Sequence, residues 1–247
     1  MRQISKYFLL VLVFQFCFGQ LTAQSSYDRN SYNAFMKNSG TLWQKSINSY
    51  KQQNKLNSNQ EKIKLIHLYY AYTAHLIATK QTAKANEMIK AAESEIESIL
   101  KNNSKHAEAL NYKGVFLGYR AGLNKVKAPI YGRESLKYLN QAIELSPNNP
   151  QILFDKGNSL YYVPKIFGGN KGEALQYFNK TIDIFEKGNK TKYNWLYAQS
   201  LFLKGRCHEL LGELNSAKQT YEKIARVAPE FNLHRDKNYS ETHKGKE

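Results

Sequence analysis

One order of residues recurs three times along the chain. A large apolar residue is followed four positions on by glycine, then by a small residue, an aromatic or leucine, and a closing apolar residue or proline. The last copy places Leu201, Gly205, Ala217, Tyr221, Ala225 and Pro229 in that order, with Gly212 at an internal turn. The middle copy places Leu153, Gly157, Ala174, Phe178 and Ile182, and the first places Leu110, Gly114, Ser135, Leu139, Ala142 and Pro147. A short unit of this kind cannot bury its apolar face alone, so neighbouring copies must stack into one continuous core. The intervening segments carry helical periodicity without strand-like alternation, and the prolines Pro147, Pro150 and Pro229 fall at turns. The fold class is therefore all-α.

The pattern resembles the tetratricopeptide (TPR) repeat, a pair of antiparallel helices. The resemblance implies an α-solenoid of such pairs, with the glycine standing where the two helices cross too closely for a side chain. It departs in one respect: Lys113, Lys156 and Lys204 precede the glycines, where leucine is commoner. A lysine stem can lie on apolar surface while its head reaches water.

Periodicity places the first pair at 61–79 and 81–101, without the repeat's glycine and proline, as terminal repeats often are. Three more pairs follow: near 106–120 with 133–145, 150–162 with 171–187, and 193–211 with 214–227. An extra N-terminal helix over 31–51 has a weak point at Ser39-Gly40, and 52–60 reads as a polar linker. The expected organisation is a signal peptide over 1–23, the N-terminal helix and linker over 24–60, the repeat domain over 61–232 and a polar tail over 233–247.

The opening residues look like an export signal. Arg2 and Lys6 precede the apolar run 7–19, and Ala23 offers a small residue for cleavage. The run falls short of the about 20 apolar residues that a spanning helix needs. The reading is therefore an exported protein, periplasmic or secreted, rather than a membrane-spanning one. Cys17 raises a lipoprotein alternative, but Phe14-Gln15-Phe16 lacks the small residues such processing wants. Cys207 would be the one cysteine left, so the exported chain folds without an internal disulfide.

Two segments depart from the tight turn of the repeat. Residues 122–133 contain Pro129-Ile130-Tyr131-Gly132, and 163–172 contain Pro164, Ile166-Phe167 and Gly168-Gly169, so proline, isoleucine, aromatic and glycine recur in one order. The expected role of Ile130, Tyr131, Ile166 and Phe167 is to plug gaps between helix pairs. An aromatic-Gly-Gly loop also resembles those of exported bacterial TPR proteins that accompany solute-binding transport components. On that reading Tyr131, Lys165, Phe167, Gly168 and Gly169 are loop candidates for ligand contact. A phosphate cradle at Gly168-Gly169 lacks the lysine–hydroxyl signature of a P-loop.

The resemblance also implies that the first helices of the pairs line a concave groove. Counting from each glycine, that groove would present Asn111, Gln151, Phe154, Asn158, Tyr161, Gln199, Phe202 and Arg206. Rings with interleaved amide and guanidinium groups suit an extended peptide. A carboxylate clamp of the chaperone type is not supported: Asn158 takes the place of its Asn, but Phe154 stands where its Lys would be. The chain's formal net charge of +16 favours acidic partners. No His-Glu-x-x-His, Cys-x-x-Cys or Gly-x-Ser-x-Gly occurs, and the histidines are scattered. The expectation is a non-catalytic scaffold in the cell envelope, holding a protein or peptide partner, with no cofactor, no metal site and no nucleic acid. The alternative is a small-ligand or polyanion binder of transport-accessory type using the basic loops 122–133 and 163–172.

Overall fold

The computed structural model describes residues 27–231. The expected leader and the whole of the expected polar tail lie outside the described residues. Helix α1 is described over 27–36, and α2 (Gly40–Gln53), α3 (Asn59–Ala78), α4 (Thr82–Asn102), α5 (Ala107–Leu123), α6 (Ala128–Leu145), α7 (Pro150–Tyr162), α8 (Lys171–Lys187), α9 (Trp195–Leu210) and α10 (Leu214–Val227) follow, with one 3-10 turn at Lys165–Phe167. No strand occurs among the described residues.

Local chemistry sets most of these boundaries. Ser58 and Glu61 close a reciprocal capping box at the start of α3. Asn149, Asn170 and Asn194 each accept a backbone N–H at the start of α7, α8 and α9. Asn38, at φ 46°, breaks the expected 31–51 helix into α1 and α2, and Ser39 then caps α2. Gly212, at φ 80°, turns α9 into α10.

The helices pack as pairs α3/α4, α5/α6, α7/α8 and α9/α10, and the first helices also touch in sequence, α3 on α5, α5 on α7 and α7 on α9. This is an all-α, TPR-like solenoid with the first helices as its inner layer. The second helices bury one narrow stripe each: on α4 it is Ala85, Ile89, Ala92, Ile96 and Ile99. The repeat glycines lie where the helices cross. A Cβ on Gly114 would meet the Ser135 carbonyl oxygen at 2.9 Å, one on Gly157 the Phe178 ring at 3.0 Å, and one on Gly205 the Tyr221 ring at 2.5 Å.

The lysines before those glycines reach back to the second helix of the preceding pair instead of into open water. Lys113 donates to Glu97 at 2.7 Å and Lys156 to the Asn140 amide oxygen at 2.8 Å. At Lys204, burial and then the nearby Lys223 ammonium push the amine below the usual lysine range, against the opposing charges of Asp183 and Glu186. At Lys113 and Lys156 the unusual residue thus ties a pair to the one before it.

Two expectations change. The segment 122–133 is not a long loop: α6 begins at Ala128, so only residues 124–127 connect α5 to α6, and Tyr131 lies in the first turn of that helix. Pro129 sits at a first-turn position, where its missing N–H costs no helical hydrogen bond. Nor do the isoleucine and aromatic tips plug gaps, for Ile130, Ile166 and Phe167 are 62%, 85% and 64% exposed. The short connections close on their own backbone and leave these side chains outside.

Candidate functional site

The inner layer is where side chains of several helices converge. Gln151, Asp155, Asn158 and Tyr162 follow one another at helical spacing along a single face of α7. Gln151 and Asp155 are buried, Asn158 is half-buried and Tyr162 is exposed. The same gradient runs along α5, from buried Asn111 through half-buried Val115 to exposed Gly118, and along α3, from buried Tyr70 to exposed Ala74. The inner face is therefore a cup. It is filled where the first helices begin and opens where they end.

Aromatic rings fill the closed end. Trp195, at the start of α9, lies 5.0 Å from Phe35 of α1, 6.2 Å from Trp43 of α2 and 5.2 Å from His67 of α3, measured between ring centroids. Phe35 also packs on Phe231, beyond α10, at 5.9 Å. The N-terminal helices thus cover one end of the groove.

Above this plug lies a buried polar network. Asp155 accepts from the Tyr70 hydroxyl at 2.9 Å, the Asn111 amide at 2.6 Å and the Gln151 amide at 2.8 Å, which joins α3, α5 and α7. Asn111 keeps its Oδ1 buried with no hydrogen-bond partner among the described residues. His67 Nδ1 lies 2.8 Å from the Tyr112 hydroxyl, and Tyr119 stacks on Tyr70 at 6.0 Å. Burial pushes the Asp155 carboxyl up to about 6, against the lowering pull of its three hydrogen bonds, and pushes the His67 imidazole down to about 4. Burial also raises Tyr70, Tyr112 and Tyr119 well above the phenol range. The site offers rings, amides and neutral donors.

Of the groove residues expected from sequence, Asn111, Gln151, Phe154, Tyr161, Phe202 and Arg206 are buried, and only Asn158 and Gln199 keep half-open surface. Phe154 packs on Phe178, and Phe202 on Phe231. Arg206 pairs with Glu209 on its own helix and lies beside Tyr161, whose ring also takes the Lys171 ammonium at 4.6 Å. The loop candidates stand apart. Gly168 has φ 93°, a Cβ on Gly169 would fall 1.7 Å from the Val163 oxygen, and both glycine N–H groups donate inside their own turn, to Lys165 and Pro164 carbonyls. These glycines close a turn rather than cradle an anion.

Sequence reasoning takes His67 for an ordinary histidine and Tyr70 for part of a helical stripe, and does not place Tyr112, Tyr119, Asp155 or Trp195 at the site. The signal was available in part: Gln151 with Asp155, His67 with Tyr70, and Tyr112 with Tyr119 each share a helix face by spacing. Nothing local marked Trp195 as a meeting point for α1, α2 and α3.

Residues 198–231, which contain most of α9 and all of α10, match the family model of the tetratricopeptide repeat. The last helix pair is thus a tetratricopeptide repeat by sequence, and the described array as a whole is TPR-like in its stacking of helix pairs. The fold is similar to that of a solved structure, the HusA haemophore from Porphyromonas gingivalis, which is 20% identical at a TM-score of 0.58, with 74% of this chain and 92% of that one covered. No curated protein sequence matches the chain. Among the described residues, no helix is long and apolar enough to cross a membrane, and no three His, Cys, Asp or Glu side chains are grouped to hold a metal ion. Cys207 is buried, and burial pushes its thiol up to about 12.

Proposed function

We propose that this TPR protein is an exported, non-catalytic binding scaffold, periplasmic or secreted, that takes a segment of a protein or peptide partner into the open end of its inner cup. The observation that carries the reading is the one-way gradient of burial along α3, α5 and α7, which leaves Ala74, Gly118, Asn158 and Tyr162 at a mouth above a floor of tyrosines. Small residues at the rim admit a chain, the rings supply contact area, and the amides of Asn158 and Gln199 supply backbone hydrogen bonds. The closed end supports the same view, because it already accommodates an aromatic-bearing helix, α1, through Phe35.

The substitutions that test this must spare the buried positions. Asn158→Lys with Gln199→Lys alters half-open surface only. Crosslinking in the native cell envelope, read by mass spectrometry, should recover one protein with the wild type and lose it with the double variant. Recovery of the same proteins from both would sink the proposal.

A second reading rests on the ring cluster of His67, Tyr70, Tyr112 and Tyr119, which would suit a flat apolar ligand of the kind named for the haemophore neighbour. Titration of the apo protein with haemin would then give a saturable shift of the Soret band, abolished by Tyr119→Ala. An unshifted band removes this reading and leaves the first untouched.

A further inference from the structure

Consecutive helices of the solenoid run antiparallel, so the turns within the pairs share one edge and the turns between the pairs share the other. Most of the large apolar side chains that stand in solvent are on the first of these edges. Val126 and Ile130, at the α5–α6 connection, are 90% and 62% exposed, Ile166 and Phe167 crown the α7–α8 connection, and Leu214 lies just beyond the α9–α10 turn. These tips are held out by fixed backbone. The Lys127 N–H donates to Asn124 Oδ1 at 3.1 Å, the Phe167 N–H to the Pro164 oxygen at 2.9 Å, and the Asn170 N–H to the Leu160 oxygen at 3.0 Å.

Within the connections themselves the charge has one sign over three successive pairs, with Glu134 and Glu173 following in the helices and Glu213 at the fourth turn. Lys80 and Lys84 flank the α3–α4 turn, Lys125 and Lys127 the next, and Lys165 the third, all exposed. No aspartate or glutamate occurs within 78–86, 121–133 or 156–172. Isolated apolar side chains on a soluble surface are ordinary, but a row of them with lysines in the same connections is an unusual arrangement.

We infer that this edge docks on an anionic lipid surface, with Val126, Ile130, Ile166 and Phe167 entering the headgroup region and Lys125, Lys127 and Lys165 pairing with lipid phosphates. Charge complementarity calls for an acidic partner, and shape selects the lipid. The tips are separate convex points on successive turns, so a folded acidic protein would need a pocket matched to each. A fluid bilayer interface accepts apolar points at any spacing and attracts lysines across its whole plane. The inference is independent of what the cup holds.

Sedimentation with vesicles tests it, using the protein as purified from the cells that make it. Phosphatidylglycerol-rich vesicles should carry the protein down and phosphatidylcholine vesicles should not, with binding falling as salt rises. Lys125→Gln, Lys127→Gln and Lys165→Gln together should weaken binding by roughly a hundredfold, at the usual contribution of a lysine near an anionic surface. Ile166→Ser with Phe167→Ser should weaken it comparably while leaving the thermal midpoint unchanged, since both side chains are exposed. Binding that survives both sets of substitutions, or no binding to anionic vesicles, overturns the inference. Tip-dependent binding to soluble polyglutamate without vesicle binding would assign the edge to an acidic polypeptide instead.

Discussion

At the scale of single residues, the same amino acid does opposite things in neighbouring helices. Gly114 faces the Ser135 carbonyl oxygen and the Leu139 side chain, so an added Cβ would press on backbone that cannot turn aside. Gly132, inside α6, has nothing within 4 Å of the corresponding position. Gly132→Ala should therefore stabilise the protein by about 0.5–1 kcal/mol, the intrinsic cost of glycine inside a helix. Gly114→Ala gains the same propensity but must separate α5 from α6, and over-packing of that kind costs about 1–3 kcal/mol. Its net effect should be destabilising. Urea unfolding midpoints of the two variants, moving in opposite directions from the wild type, check the pair. The repeat pattern exposed Gly114, Gly157 and Gly205 as crossing points because all three stand at one register. It said nothing of Gly132, which lies in a stretch whose proline and glycine read as a loop while its backbone is helical.

At the scale of elements, the network around Asp155 fixes α3, α5 and α7 against one another. A buried acid with three donors specifies register at some cost in desolvation. The sign of its pH dependence follows from its raised pKa. In the unfolded chain an aspartate titrates near 4, whereas the folded carboxyl titrates at about 6 because it is buried. Between these values the folded protein holds a proton that the unfolded chain has released, so the contribution of Asp155 is full below about pH 4 and declines as pH rises through about 6. His67 acts in the opposite sense: burial lowers it to about 4, below the usual 6.5, so its contribution grows as pH rises across that interval. Asp155→Asn isolates the first effect. The wild type's stability relative to this variant should be highest at low pH and fall between about pH 4 and 7, as read from denaturant midpoints; a difference that grows with pH would contradict the assignment. Most helix boundaries were legible in sequence because capping residues and prolines announce them locally: α7 and α8 run over 150–162 and 171–187 as their periodicity indicates. The inner face was less legible. Residues that line a groove and residues that fill a core repeat at the same spacing, so Phe154 and Phe202 could not be told from groove residues until the neighbouring helices were in place.

At the scale of the molecule, the N-terminal helices change what kind of array this is. In an open solenoid each repeat touches only its neighbours, so the two ends can lose structure independently. Here Phe35 of α1 packs on Trp195 and Phe231 while Tyr27, at the other end of the same helix, donates to the Lys64 carbonyl at 3.1 Å, so the first and last parts of the described chain share one cluster. This long-range closure leaves no trace in periodicity, because α1 contributes only Tyr27, Tyr32 and Phe35 as aromatic residues to a core drawn from distant segments. It has a measurable consequence. Phe35→Ala leaves a cavity between three elements and should cost about 3 kcal/mol. In a closed array that loss is felt at the far end. Hydrogen exchange should therefore accelerate in α9 and α10 as well as in α1 and α2, and the fluorescence of Trp43 and Trp195, whose rings lie 6.2 Å apart, should report one unfolding transition in the wild type. If exchange quickens only in α1 and α2 while α9 and α10 keep their protection, the last repeat holds itself together, and the contact at Trp195 covers the array without coupling its ends.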